Sequence, residues 1–266
     1  MCLIVCKPKG IPLPGRKKLK QWFASYPDGV GIAFQYRDKV RILKGAMTDK
    51  EMFALIARME KLLCPKKPKD IDIVIQFRQA VTGSVCPKYC HPFPVTSSQE
   101  ELDSLDVLAD CALAHNGIIH EYSTRRNGCT LKAANDVNDA QEFIKDYLAG
   151  MGGSLWNPFV QRLIQSYTAS KFALLTSTGI VYIGEFIADQ GILYSNEGYI
   201  GAKLIATALY PLTPALHFNY DEGFGVCQAC QTYSKALFTP AWDETPLCAD
   251  CFRQYAQCEP TKANLY

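Results

Sequence analysis

The sequence lacks several features that would place it in a large class of proteins. No apolar run approaches the length of about 20 residues that a membrane-spanning helix needs. It contains neither a G-x-G-x-x-G pattern nor a Walker sequence, so nothing supports a nucleotide-binding fold. It also has no internal repeat and no low-complexity tract. These absences leave an ordinary globular protein as the expectation.

The chain has almost no excess charge. Its 28 Lys and Arg residues oppose 26 Asp and Glu residues, which gives a net charge of +2, so no strong field would attract nucleic acid or an anionic membrane. The short apolar start is followed by Lys7 and Lys9, a layout unlike that of a signal peptide. We therefore expect a cytoplasmic protein that binds neither nucleic acid nor membranes.

Length and apolar content allow a substantial core. With 266 residues, of which 48% are hydrophobic and 20% charged, the chain can form one large domain or one medium and one small domain.

Cysteine, by contrast, is abundant. Of the 12 cysteines, seven are scattered from Cys2 to Cys129 and five lie close together from Cys227 to Cys258. Scattered cysteines are most often small buried hydrophobic residues. The C-terminal cluster has the layout of a metal site.

Two C-x-x-C pairs, Cys227/Cys230 and Cys248/Cys251, are separated by the segment 231–247. This spacing predicts four thiolate ligands around a structural zinc ion whose coordination sphere is full. Disulfides and redox dithiols are the alternatives, but a reducing compartment disfavours the former and no βαβ context supports the latter. Cys258 is not needed as a ligand of this four-cysteine site.

The Cys86-x-x-x-Cys90-His91 segment is a weaker metal candidate that we interpret as loop packing.

The cysteine-rich segment is acidic. Residues 221–266 contain three basic and six acidic side chains, which gives 3 − 6 = −3 and disfavours phosphate binding. Phe238, Trp242, Phe252 and Tyr255 are expected to form a small core or a protein-docking face.

Apolar spacing predicts groups of antiparallel strands with helices between them. Strands are predicted at 3–5, 30–36, 40–43, 71–77, 111–114, 172–176, 180–183 and 192–194. Helices are predicted at 97–109, at 137–148, from Pro158 to about residue 167, and after the capping-box pair Thr48 and Glu51. This order favours an α+β fold over an alternating Rossmann pattern.

The first residues carry the first chemical signal. If Met1 is trimmed, Cys2 becomes a terminal residue with a thiol and a free α-amine, and such an amine can act as the base for its own side chain. The simpler interpretation is that a cysteine at position 2 is incidental. The motifs in the rest of the chain have to decide between these two interpretations of Cys2.

Several short motifs occur after Cys2 in an order that resembles the class II glutamine amidotransferase domain, one of the N-terminal nucleophile hydrolases. The resemblance spans roughly residues 2–200. Its motifs are Asp28-Gly29-Val30-Gly31, Arg78 with Ala80 and Thr82-Gly83, His91-Pro92, Ala114-His115-Asn116-Gly117, and Asn138-Asp139 with Phe143.

The resemblance implies a four-layer αββα sandwich with an active site at one end of two facing sheets. It implies that Cys2 is the nucleophile and that Asn116 and the backbone N–H of Gly117 form the oxyanion hole. It further implies that Arg78 binds the α-carboxylate of glutamine and Asp139 its α-ammonium group. Asp136 is an alternative ammonium ligand, and Asp139 is preferred because Phe143 follows four residues later.

Two motifs depart from the family pattern. Gln76-Phe77-Arg78 replaces the familiar His-Thr-Arg, and Val81-Thr82-Gly83 stands where Thr-His-Gly is common. Thr82 is expected to donate to the substrate carboxylate.

The resulting prediction has three segments: an amidotransferase-like domain (1–205), a linker (206–221) and a zinc-binding module (222–266). The expected function is a glutaminase subunit that supplies ammonia to a partner synthetase, with no organic cofactor. The alternatives are a γ-glutamyl amidohydrolase acting on another substrate and an inactive interaction protein.

Overall fold

The computed structural model describes residues 2–80, 84–122, 125–126, 129–130, 138–200, 225–227, 233–234, 248 and 251. The chain divides into two compact units, Met1–Ile205 and Ala206–Tyr266. The first is an α+β unit built on two antiparallel sheets.

The large sheet has seven strands. They are β1 (Leu3–Lys7), β2 (Val30–Tyr36), β3 (Lys39–Ala46), β4 (Ile73–Phe77), β6 (Asp106–Ala109), β12 (Ile187–Asp189) and β13 (Ile192–Tyr194). Their order across the sheet is β12-β13-β1-β4-β2-β3-β6. The first strand of the chain therefore lies inside the sheet, paired with β4 and β13.

The small sheet has four strands. They are β5 (Phe93–Pro94), β7 (Cys111–Asn116), β10 (Lys171–Thr176) and β11 (Gly179–Ile183). Their order is β11-β10-β7-β5. A separate two-stranded hairpin joins β8 (Arg125–Arg126) and β9 (Cys129–Thr130).

The helices follow the sequence signals closely where caps are present. Thr48 and Glu51 form the predicted capping box, and Asn157 caps the helix that Pro158 opens. The helices are α1 (Arg16–Ser25), α2 (Asp49–Leu63), α3 (Gln99–Asp103), α4 (Asp139–Phe143), α5 (Ala149–Met151) and α6 (Pro158–Thr168). A π-helical turn, Ile144–Leu148, continues α4.

The core consists of three apolar clusters separated by the two sheets. One cluster joins alternate residues of the large sheet to α1 and α2, as with Leu3, Trp22 and Met52. A second lies between the sheets, where small residues such as Ala112 and Ala114 face the large sheet. The third joins the other face of the small sheet to the helical segment 139–168. Alternation along the central strands β1, β4 and β7 thus buries both of their faces.

The predicted helix at 97–109 is wrong in its second half. Helix α3 ends at Asp103, and β6 then pairs with the edge of β3. Arg41 binds the Asp106 carboxylate through two hydrogen bonds of 2.8 Å. The pairing of β6 with β3, which is far away in sequence, overrides the local helical pattern of residues 104–109.

In the second unit, β14 (Gly225–Val226) pairs with β15 (Tyr233–Ser234). Among the residues that the structure describes, no helix combines the length and the apolarity needed to cross a membrane.

Candidate active site and metal centre

Cys2 lies at one end of the large sheet. Because Leu3 pairs with Phe77, Cys2 is next to the residues that follow β4. Its Sγ accepts a hydrogen bond from the Gln79 backbone N–H (3.4 Å) and lies 3.6 Å from the Gln79 carbonyl oxygen. The side chain is a free thiol in a partly exposed position. Two contacts with the Gln79 backbone therefore fix the sulfur.

Arg78 is held beside Cys2 and is only 2% exposed. Its backbone N–H donates to the Gly29 carbonyl (2.8 Å), and its Nη1 donates to the Ser84 carbonyl (2.9 Å). Gly29 has a φ of +121°, and a Cβ there would lie 2.3 Å from Cys90 Sγ. The turn before β2 thus requires glycine, because its φ is positive and the Cys90 sulfur occupies the space that a side chain would need.

Asn116 and Gly117 stand at the end of β7 in the small sheet. Asn116 Nδ2 donates to Ser195 Oγ at 2.9 Å. Its buried Oδ1 has no hydrogen-bond partner among the described residues. A Cβ on Gly117 would lie 2.1 Å from Ser170 Oγ, so the residue that precedes β10 leaves room only for glycine.

Asp139 begins α4, which Asn138 caps by accepting from the backbone N–H groups of Ala140 and Gln141. Asp139 is 4% exposed, and its Oδ2 accepts from the Ile119 N–H at 3.0 Å. It therefore fixes the segment that follows Gly117. Two other predicted positions, Thr82 and Asp136, lie outside the described residues, so the choice between Asp136 and Asp139 stays a prediction.

A buried histidine pair adjoins these residues. Both histidines belong to motifs of the sequence, but no catalytic role was predicted for either of them. His91 and His115 have ring centroids 6.1 Å apart, and His115 stacks on Phe172. Burial lowers the pKa of both rings; His115, Arg78 and Lys44 lower that of His91 further, whereas Asp139 opposes the shift at His115. Both imidazoles are therefore neutral at neutral pH.

Gln76 connects the two sheets. Its Nε2 donates to the His115 carbonyl (2.7 Å), and its Oε1 accepts from the His115 N–H (2.9 Å). Gln76 is fully buried in the large sheet, whereas His115 belongs to the small sheet. The amide thus joins the two sheets at the end where Cys2 and Asn116 lie.

The dipeptide Ser195-Asn196, which follows β13, is a second feature to which the sequence assigned no role. Ser195 Oγ accepts from the Ile4 N–H at 2.9 Å, and Asn196 Nδ2 donates to the Cys2 carbonyl at 2.7 Å. Tyr26 Oη lies 3.4 Å from Asn196 Oδ1, and burial together with the nearby Cys2 thiol raises the pKa of Tyr26 to about 12. These contacts hold the first residues of the chain in place.

The described candidate residues are thus joined at one end of the two sheets. A thiol, a guanidinium, a carboxylate and an amide beside a backbone N–H are the groups needed to bind an amino acid and attack its amide. Two surface grooves, one beside α6 and β11 (about 320 Å³) and one beside α1 and α2 (about 550 Å³), lie elsewhere.

Three of the four predicted metal ligands come together in the second unit. The sulfur atoms of Cys227, Cys248 and Cys251 all lie within 4.8 Å of one another. Four sulfurs at about 2.3 Å from a tetrahedral zinc ion would be about 3.8 Å apart, so the three positions fit a shared metal ion. Cys230 lies outside the described residues, as do Cys258 and the four aromatic residues predicted to form a small core or docking face (Phe238, Trp242, Phe252 and Tyr255).

Changing Cys227 and Cys248 together to serine should remove the bound metal, because two ligands on separate turns would be lost. Metal content per chain, measured by elemental analysis of the purified protein, checks this. The matched control is Cys64→Ser, which removes an exposed thiol of the first unit and should leave the metal content unchanged. Retention of stoichiometric metal by the Cys227/Cys248 variant would reject the site.

No protein-family model matches the chain, and the search of curated proteins found no similar protein.

Proposed function

We propose that the chain is a glutaminase subunit of glutamine amidotransferase type, which hydrolyses the side-chain amide of glutamine and supplies ammonia to a partner synthetase. The observation that carries the proposal is the joining of Cys2, Arg78, Asn116 and Asp139 at one end of two sheets. The connecting groups are the Gln79 backbone, the Ser195 hydroxyl and the Ile119 N–H.

The arrangement of the core supports an N-terminal nucleophile hydrolase architecture. Apolar clusters occur between α1/α2 and the large sheet, between the sheets, and between the small sheet and the segment with α4 and α6. Helix, sheet, sheet and helix in that order are what a four-layer αββα sandwich requires.

Charge placement supports a free amino acid as the substrate. Glutamine carries one α-carboxylate and one α-ammonium group, and Arg78 and Asp139 provide one charge of each opposite sign. A guanidinium can bind a carboxylate through two parallel hydrogen bonds. The neighbouring imidazoles of His91 and His115 are neutral, so they add no net charge to this zwitterion-binding site.

The proposed reaction begins after removal of Met1. The α-amine of Cys2 takes the thiol proton, and sulfur attacks the side-chain amide carbon of glutamine, so that a C–S bond forms and the carbonyl electrons move to oxygen. Asn116 and the Gly117 N–H stabilise this oxyanion. Its collapse breaks the C–N bond, and the nitrogen leaves as ammonia with the proton held by the amine.

Water completes the cycle. It attacks the γ-glutamyl thioester and gives one proton to the amine, the C–S bond breaks, and glutamate and the Cys2 thiol are released. The overall change is glutamine plus water to glutamate plus ammonia, with no redox step.

We also propose that the metal of the second unit is a structural zinc ion, with Cys230 as its fourth ligand. The support is the thiolate donor set, which zinc favours, and the C-x-x-C spacing. Four thiolates would leave no open position for catalysis.

The enzymatic proposal is tested by measuring glutamate release. The protein used must first be shown, by its intact mass, to have lost Met1. Because Arg78→Lys loses the bidentate geometry, we expect KM for glutamine to rise about 10- to 100-fold with little change in kcat. Arg41→Lys is the matched control, since Arg41 forms a bidentate pair with Asp106 away from the site.

Three outcomes separate the candidate functions. Turnover of glutamine alone or with a co-purifying partner supports the subunit proposal. Turnover confined to other γ-glutamyl amides points to an amidohydrolase. The absence of turnover under every one of these conditions leaves an interaction protein and rejects the enzyme.

A further inference from the structure

Ser195 forms hydrogen bonds to both halves of the candidate site. Its Oγ accepts from the Ile4 N–H in β1, two residues after Cys2, and from Asn116 Nδ2 in the small sheet, each at 2.9 Å. The Ser195 backbone is fixed as well, because its N–H donates to the Ile4 carbonyl (3.1 Å) and its carbonyl accepts from Lys171 Nζ (2.8 Å). A fully buried hydroxyl is thus held at a defined point between nucleophile and amide.

The side chain of Asn116 has two orientations that fit this hydroxyl. In the orientation of the structure, Nδ2 faces Ser195 and Oδ1 has no partner among the described residues. A half-turn of the terminal amide exchanges the two atoms. Ser195 can then donate its hydroxyl hydrogen to Oδ1 while still accepting from Ile4, because a hydroxyl has one donor and two acceptor positions.

The turned orientation leaves both Nδ2 hydrogens free for an oxyanion, because Ser195 then holds the amide oxygen instead. It brings the Nδ2 hydrogens to the position that Oδ1 otherwise occupies, whereas an amide oxygen at that position would repel the developing negative charge. It also gives Oδ1 a donor, and a buried acceptor without a donor is costly.

We propose that Ser195 is a positioning residue, which holds Asn116 by its amide oxygen and so directs Nδ2 toward the oxyanion of the reacting amide. This inference rests on the proposed function and adds a residue to its machinery. Ser195 does not touch the substrate. It acts through Asn116, and its hydroxyl serves both amide orientations because it can donate and accept.

A double-mutant cycle tests this role, using the full chain as wild type, Ser195→Ala, Asn116→Ala and the double variant. We expect Ser195→Ala to lower kcat about 10- to 100-fold and to change KM less than about twofold. The Asn116 amide stabilises the oxyanion, which develops only in the transition state, so the loss of its anchor affects kcat and not substrate binding. In the Asn116→Ala background, Ser195→Ala should lower kcat no further.

Ser195→Ala also removes the hydrogen bond from the Ile4 N–H, and the cycle separates this effect from the effect on Asn116. If Ser195 serves only to anchor β1, its removal will lower kcat by the same factor with Asn116 present or absent, and the inference is overturned. An unchanged kcat in Ser195→Ala overturns it as well. Recovery of kcat in Ser195→Thr, which retains a hydroxyl, is a further supporting result.

The two proposals fail in different ways. If Cys2→Ala turns over glutamine as fast as the wild type, the proposed function is rejected. Turnover that depends on Cys2 and Asn116 but not on Ser195 rejects only the positioning role.

Discussion

Cys2→Ala should abolish glutamate release, with kcat falling about 10⁴-fold or more, because the variant has no atom that can form the thioester. The fold should survive, since the Cys2 side chain is partly exposed and the residue's tightest bond, from Asn196 Nδ2, is made to its backbone carbonyl. Glutamate production by purified protein, together with the thermal unfolding midpoint, measures both effects.

Cys64→Ser is the control for this experiment. Cys64 is an exposed free thiol at the end of α2, so its removal should leave turnover and stability unchanged. Mass spectrometry after incubation with an electrophilic glutamine analogue adds a second measurement. The modification should map to Cys2 in the control variant and be lost in Cys2→Ala; modification elsewhere would contradict the assignment of the nucleophile.

Asn116→Asp should lower kcat by about 10³-fold while KM changes little. Loss of one oxyanion donor commonly costs about 10²- to 10³-fold in kcat, and a carboxylate adds repulsion where negative charge develops. Steady-state kinetics with glutamine as the varied substrate check the split between kcat and KM.

Asn157→Asp is the matched control for Asn116→Asp. Asn157 caps α6 by accepting from the Phe159 N–H at 2.8 Å, and aspartate caps a helix about equally well. The same change of amide to carboxylate at that position should therefore be silent. A kcat for Asn116→Asp close to that of this control would remove Asn116 from the oxyanion hole.

Local patterns predicted most of the strands and helices because their signals lie within a few residues. The apolar run at Leu3–Val5, the capping box at Thr48 and the Asn157-Pro158 start each depend on neighbours in sequence. The 97–109 segment failed for the opposite reason. Its second half is a strand only because the edge of β3 is available to it.

The candidate site also combines residues that a local motif indicates with residues whose contacts lie far away in sequence. Cys2, Arg78, Asn116 and Asp139 could be selected from the sequence because each belongs to a short motif. Ser195 and Asn196 could not be assigned a role, since their partners Ile4 and Cys2 are 191 and 194 residues away. Gln76 looked like the loss of a motif residue, whereas its two bonds to His115 join the sheets.

The position of β1 inside the large sheet sets a schedule for the maturation of the chain. Its two partner strands end at Phe77 and Tyr194, so the first strand cannot be enclosed on both sides until synthesis has passed Tyr194. Until then the edge of β1 beside β13 is open, and the proposed removal of Met1 has this interval available to it.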